Sequence, residues 1–191
     1  MHRERLTSQS HPLRIDGIKM LGPWGTLGIT FCPGKKDAHF QSGRWDRDLD
    51  TDLDAIKDWG ASAVVTLIEP HEFELLGVQG LGEGVTNRGM AWYHLPIRDV
   101  SVPNVRFEHQ WPEAGKELLQ TLKNGENIVV HCRGGLGRAG LVAARLIIET
   151  RVPPEKAIRA VRAARPGAIE TKEQEDYLLG LPTRPWSVAV P

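Results

Sequence analysis

The 191-residue chain is poor in cysteine, has no net charge and contains no long apolar run. Its two cysteines, Cys32 and Cys132, stand far apart in sequence. They make no disulfide framework and suit a reducing compartment, so a cytoplasmic protein is expected. With 24 Lys and Arg against 24 Asp and Glu, no overall field draws a polyanion, and nucleic acid is not an expected partner. The opening stretch MHRERLTSQSHPLR lacks the apolar segment of a secretory signal. The best apolar run, LVAARLII, is short and broken by Arg145, so no membrane span or membrane partner is expected. The histidines show no ligand spacing such as H-E-x-x-H, so neither a metal nor a cofactor is expected.

What is present argues for a folded globule. Hydrophobic residues make up 40% of the chain and there are six tryptophans. The length fits one domain, expected over residues 16–191 behind a loose polar tail at 1–15. Charge is unevenly placed: His131 to Pro166 holds eight Lys and Arg against two acids, and Arg44 to Asp58 holds six Asp against three basic residues. Two solvated helix faces of opposite sign explain this as well as a functional field does.

Periodicity alternates between strand and helix. IKMLGPWGTLGITFCPG reads as an N-terminal hairpin, and WDRDLDTDLDAIKDWG as a helix stopped at Gly60. SAVVTLIE, MAWYHLPI and NIVVH read as strands; EFELLGV reads as a short helix followed by a glycine-rich connection through Gly84. Helices are expected over 107–123, RAGLVAARLIIET, PPEKAIRAVRAARPG and TKEQEDYLLG. The pattern predicts an α/β fold: a central, mostly parallel sheet flanked by helices.

The stretch HCRGGLGRAG, residues 131–140, admits two chemistries. Gly135, Gly137 and Gly140 satisfy G-x-G-x-x-G between a strand and a helix, as a dinucleotide loop would. That fold needs a further strand ending in an acid about 20 positions on. Position 160 is alanine, and Pro153-Pro154 opens another helix instead. The other reading takes Cys132 and Arg138 together. A loop of five residues (Arg133, Gly134, Gly135, Leu136, Gly137) at a helix N-terminus can turn its backbone N–H groups inward as an anion nest. Arg138 then grips phosphate oxygens with its planar fork. The same positive field favours a thiolate on Cys132, which makes it a nucleophile. An inert buried cysteine near a helix cap is the plainer alternative.

VVHCRGGLGRAG resembles the H-C-x5-R signature of cysteine-dependent protein tyrosine and dual-specificity phosphatases. LPIRDVSVP is similar to that family's acid-bearing loop, and GAIETKEQEDYLL to its late water-positioning loop. The likeness runs over about residues 20–181 and is greatest to the kinase-associated, cyclin-dependent kinase inhibitor type and its bacterial relatives. It implies the α/β fold already read, a cysteinyl-phosphate intermediate on Cys132, phosphate held by Arg138, and His131 orienting the loop beneath the thiolate. It favours Asp99 as general acid, where composition alone equally allows a turn aspartate. It gives Glu170 or Gln174 the attacking water, although Thr171-x-x-Gln174 is also a capping box.

Three departures stand out. Ile-Arg-Asp replaces the family's common Trp-Pro-Asp, which suggests different loop motion and brings Arg98 near substrate. Glu170 stands where the family commonly has Gln. Ala139 replaces a Ser or Thr whose hydroxyl would assist the sulfur as it leaves. The expected partner is a phosphorylated protein or a small phosphoester. The rivals are a non-protein phosphoester phosphatase and, from another class, a catalytically weak phosphate-binding module. Cys32 reads as a packed core cysteine or as a resolving thiol, and Lys35 and Lys36 as possible rims of the phosphate pocket.

Overall fold

The computed structural model describes residues 5–37 and 44–182. Five strands form the central sheet: β2 (Asp16–Lys19), β3 (Thr26–Phe31), β6 (Ala61–Thr66), β7 (Ala91–His94) and β8 (Asn127–Cys132). Their spatial order is β2-β3-β8-β6-β7; β2 is antiparallel to β3, and every other pairing is parallel. The expected hairpin and mostly parallel sheet are therefore both present. Among the described residues, seven helices surround it: α1 (Leu49–Asp58), α2 (Pro70–Leu75), α3 (Leu81–Asn87), α4 (Val105–Lys123), α5 (Gly137–Ile148), α6 (Pro154–Ala164) and α7 (Lys172–Leu179).

Alternation along the central strand divides the interior into two layers. On β8, Ile128, Val130 and Cys132 join the layer formed with α4, α5, α6 and α7, while Val129 joins the one with α1 and α3. Every residue of α5 is buried, as its near-continuous apolar sequence requires. It carries two arginines; Arg145 is paired with Glu108 at 2.8 Å and lies over the Trp111 ring at 4.7 Å. The parallel strands β3, β8, β6 and β7 all end at one edge. Ligand sites of open α/β sheets lie outside the carboxyl ends of the strands.

The connection after α2 is not a simple glycine loop. It contains α3, whose Gly82 and Gly84 serve close packing: a Cβ on either would come within 2.5 Å of the Trp92 ring or of Leu53 Cδ1, respectively. A second small sheet, β1 (Arg5–Leu6), β5 (Arg44–Asp46) and β4 (Lys36–Asp37), has strands too short to show periodicity. Residues 5–15, expected to be loose, are tied down. Arg5 and Leu6 pair with β5, and Arg47 Nη1 donates to the carbonyl of His11 at 2.7 Å. Residues 1–4 and 183–191 of the expected tail and domain lie outside the described residues.

Arg47 anchors this corner through a fully buried, two-pronged pair with Asp52, at 2.7 and 2.8 Å. Asp52 Oδ2 also accepts from the Gly34 N–H at 2.8 Å. Removing one partner of such a pair strands a charge in the interior. Asp52→Ala should therefore cost about 3–5 kcal/mol, read by urea denaturation. A loss below about 1 kcal/mol would mean that water reaches Arg47.

Candidate active site

The loop joining β8 to α5 gathers the expected residues. Gly135 has φ 69°, where side chains are strained, and a Cβ there would lie 2.5 Å from the backbone of Thr30 and Phe31. Only glycine fits against β3 in this way. The Gly135 N–H donates to Cys132 Sγ at 3.2 Å. Behind the loop, Arg165 Nη2 donates to the Gly134 carbonyl at 3.3 Å and its Nε to the Gly135 carbonyl at 2.7 Å. Arg165 is itself held by Asp16 at 2.6 Å. In a planar trans peptide, C=O and N–H point opposite ways. With those two carbonyls drawn outward, the N–H groups of Gly135 and Leu136 turn to the side of the sulfur, giving a concave donor surface.

Arg138, in the first turn of α5, is almost wholly buried. Its Nη1 and Nη2 donate to Glu72 Oε2 and Oε1 at 2.6 and 3.0 Å, and Nη1 also to the Ile97 carbonyl at 3.2 Å. Nη2 lies 3.0 Å from Asp99 Oδ1. Its Nε is buried and has no partner among the described residues. Asp99 is half exposed, so it joins the guanidinium to solvent at the site's mouth. Burial alone would raise the pKa of Glu72, but hydrogen bonds and charge from Arg138 outweigh it and hold the carboxyl below its ordinary range. The same pairing, against the desolvation of Arg138, raises the arginine further.

His131 is fully buried, and its Nε2 lies 2.8 Å from Thr66 Oγ1. Burial, seconded by the nearby Arg138 and His94, pushes its pKa down to about 3, so the ring is neutral. Glu170 and Gln174 both reach the loop: a Cβ on Gly137 would collide with Glu170 Oε2 and with the Gln174 amide. Gln174 is buried and its amide is already engaged. Oε1 accepts from the N–H groups of Glu170 and Thr171, and Nε2 donates to the Ser101 carbonyl at 3.1 Å. It thus straps the late loop to the loop that carries Asp99.

Some expected basic residues turn elsewhere. The Arg133 guanidinium points away from the nest to Asp37, at 2.8 and 3.0 Å, and contributes its backbone to the loop. Lys35 is buried beneath the loop, where its Nζ donates to the Arg133 carbonyl at 3.3 Å. Burial draws its pKa down to about 8, against the pull of Cys32, Asp37 and Cys132. Cys32 packs in the layer with α1 and α3, across the sheet from Cys132's layer, and burial pushes its thiol up. Glu72 and Arg165 were not legible as site residues. The E-P-H-E spacing marks Glu72 as a helix-capping acid, which it also is, accepting from the Glu69 N–H at 2.7 Å. Nothing local marks its second bond to Arg138.

A buried clamp, a concave N–H surface and a cysteine sulfur at its centre can bind a tetrahedral anion and attack it. The family described as "Swiss Army Knife protein, DSP-PTPase phosphatase domain" matches residues 47–178. Cyclin-dependent kinase inhibitor 3 of Rattus norvegicus is 34% identical over 155 residues, covering 80% of this chain and 69% of that protein. The protein of the same name from Homo sapiens is 33% identical over the same shares. Among solved structures, kinase associated phosphatase (KAP) with its catalytic-site cysteine changed to serine superposes with a TM-score of 0.74 at 30% identity, covering 87% of this chain and 92% of that one. Tk-PTP in its active form gives 0.63 at 26% identity, over 85% and 93%.

The Glu72 carboxylate is favoured by folding, so its contribution is complete above the ordinary glutamate range and is lost as pH falls through the lowered pKa. Glu72→Gln should lower stability at neutral pH by about 1.5–3 kcal/mol and flatten the acid side of the stability–pH curve. Chemical denaturation at a series of pH values measures both. An unchanged acid slope would show that Glu72 is not held ionised by Arg138.

Proposed function

The chain belongs to the DSP-PTPase family of cysteine-dependent protein phosphatases, and on that premise we propose that it hydrolyses phosphoprotein substrates through a phosphoryl group carried on Cys132. The observation that carries this reading is the buried Arg138 Nε, which has no partner among the described residues, together with a loop whose Gly135 N–H donates to the Cys132 sulfur at 3.2 Å. A buried cation with a spare donor fits a doubly charged phosphate. The KAP relative, described by its catalytic-site cysteine, supports the same assignment.

In the first step the Cys132 thiolate attacks phosphorus and the bond to the leaving oxygen breaks. Arg138 and the N–H groups of the loop bind the equatorial oxygens, whose charge is greatest in the transition state. Asp99, displaced from Arg138 Nη2 when the phosphate takes its place and entering this step protonated, gives its proton to the leaving oxygen. In the second step water attacks phosphorus, Asp99 takes the proton, and the sulfur leaves as thiolate. Glu170, exposed beside Gly137, is the group placed to steady that water. Gln174 is assigned to holding the two loops together, because its amide is already bonded to three backbone groups.

Substrate scope is read from the rim. Asp99 and Val100 are both well exposed, which supports a rim open to phosphoserine and phosphothreonine as well as phosphotyrosine. A protein kinase is the first partner to test, since the relatives are named for one. Both cysteines are free and buried, which agrees with a reducing cytoplasm. Ala139 is buried in the first turn of α5 and has no hydroxyl to offer the departing sulfur. That observation supports the second reading, a phosphate-binding module of weak turnover.

The leaving group separates acid catalysis from a structural role for Asp99. Asp99→Asn should lower kcat for alkyl and peptide phosphates by about 10²–10⁴-fold. An aryl phosphate with an acidic leaving group needs little proton assistance and should lose far less. Equal losses for both classes would make Asp99 a structural partner of Arg138. No product from any phosphoester, with vanadate still bound, would favour the binding module.

A further inference from the structure

Strands β6 and β7 bring two more side chains into line with His131. Trp92 Nε1 donates to Thr66 Oγ1 at 2.9 Å, and Thr66 Oγ1 lies 2.8 Å from His131 Nε2. Thr66 and His131 are fully buried and stand opposite one another in the β6–β8 register. Trp92 is fixed in place. Its ring stacks on His94 at 5.6 Å with an interplanar angle of 6°, meets the edge of Phe73, and fills the space that a Cβ on Gly82 would need.

The donor inventory sets the direction of this chain. An indole N–H only donates, so the Thr66 oxygen accepts there. The Thr66 hydroxyl proton then has His131 Nε2 as its one acceptor among the described residues. Pairing that buried proton requires Nε2 to offer its lone pair, and a neutral imidazole then carries its own proton on Nδ1. Nδ1 has no hydrogen-bond partner among the described residues, while the Cys132 backbone favours a proton on the ring. The positive end of the imidazole then lies on the ring nitrogen away from Thr66, where the Cys132 backbone favours it.

We propose that Trp92 and Thr66 are positioning residues for Cys132: by hydrogen bonding through His131 they hold the imidazole in the tautomer that favours the thiolate. This rests on Cys132 being the nucleophile. The other titratable and charged groups facing His131 and Cys132 are His94 on β7, Glu72 on α2, Arg138 on α5, and Cys32 and Lys35 beyond β3. None of them bonds Nε2, so the tautomer is set from the Trp92 side.

A long-range nitrogen–proton NMR spectrum of the full chain, labelled at histidine and assigned with His131→Asn, reads the ring proton directly. Wild type should show Nδ1 protonated and Nε2 bare at neutral pH. Thr66→Val should move the proton to Nε2 and raise the acid limb of kcat/KM for an aryl phosphate by roughly 0.5–1 pH unit. Thr66→Ser, which keeps the hydroxyl, should restore both. Trp92→Phe keeps the ring stacked but frees Thr66 to turn its proton away, so both readouts should shift in the same direction as in Thr66→Val. The proposal is overturned by a protonated Nε2 in wild type, by a tautomer unmoved in Thr66→Val or Trp92→Phe, or by a moved tautomer with a fixed acid limb. Absence of phosphatase activity in wild type would count against the function proposed above; the ring-proton spectrum decides the relay independently.

Discussion

Taking an arginine out of water is tolerable only if its charge and its donors are answered on the spot. Arg138 is answered by three groups from two parts of the chain: the Glu72 carboxylate on α2, and the Ile97 carbonyl and Asp99 carboxylate in the loop after β7. These segments arrive from the ends of parallel strands, so the sheet brings them to one point and the guanidinium holds them there. The polar groups at the end of the sheet are arranged around that demand. Glu72 stays ionised, Asp99 is brought to the guanidinium, and Nε is left without a partner among the described residues.

Strain gathers at the same place. Of the three non-glycine residues with positive φ among the described residues, Val100 at 54° follows Asp99 and Ile169 at 60° precedes Glu170. Both are β-branched, which makes the conformation unusual and worth about 1–3 kcal/mol each. Local bonds hold them. The Val100 N–H donates to Asp99 Oδ1 at 3.1 Å; the Ile169 N–H donates to the Leu136 carbonyl, and its carbonyl accepts from Arg162. Gln174 links the two strained loops through Ser101. Backbone strain beside both carboxylates of the proposed mechanism fits a site organised in advance rather than assembled on binding.

What the sequence discloses follows the range of the interactions. Cys132, Arg138 and the glycines between them lie within one turn of chain, so their spacing alone reports an anion-binding loop. Strands such as NIVVH and the apolar helix after it are long enough for their periodicity to settle their identity. Glu72 and Arg165 act across the fold, and each has an ordinary local explanation that conceals its contact with the loop. Gly82 and Gly84 look like a flexible connection because glycine also marks loops; only Trp92 and Leu53, brought close by folding, show that the residues are helical. Arg133 looks like part of the phosphate clamp until Asp37, distant in sequence, takes its guanidinium. The tied-down segment 5–15 depends likewise on Arg47, whose partner Asp52 reads as one acid among six.

The central claim is covalent: phosphorus passes through the Cys132 sulfur. The buried Ala139 offers no hydrogen bond to the departing thiolate, so breakdown of the intermediate is expected to be the slower step. Rapid acid quench during turnover of an aryl phosphate, followed by mass analysis of the peptide containing Cys132, tests this directly. The account predicts a phosphoryl group on Cys132 in a substantial fraction of molecules, and less of it in Ala139→Ser. Steady turnover with no phosphoryl group on Cys132 at any quench time in either protein, combined with activity that survives Cys132→Ser, would contradict it.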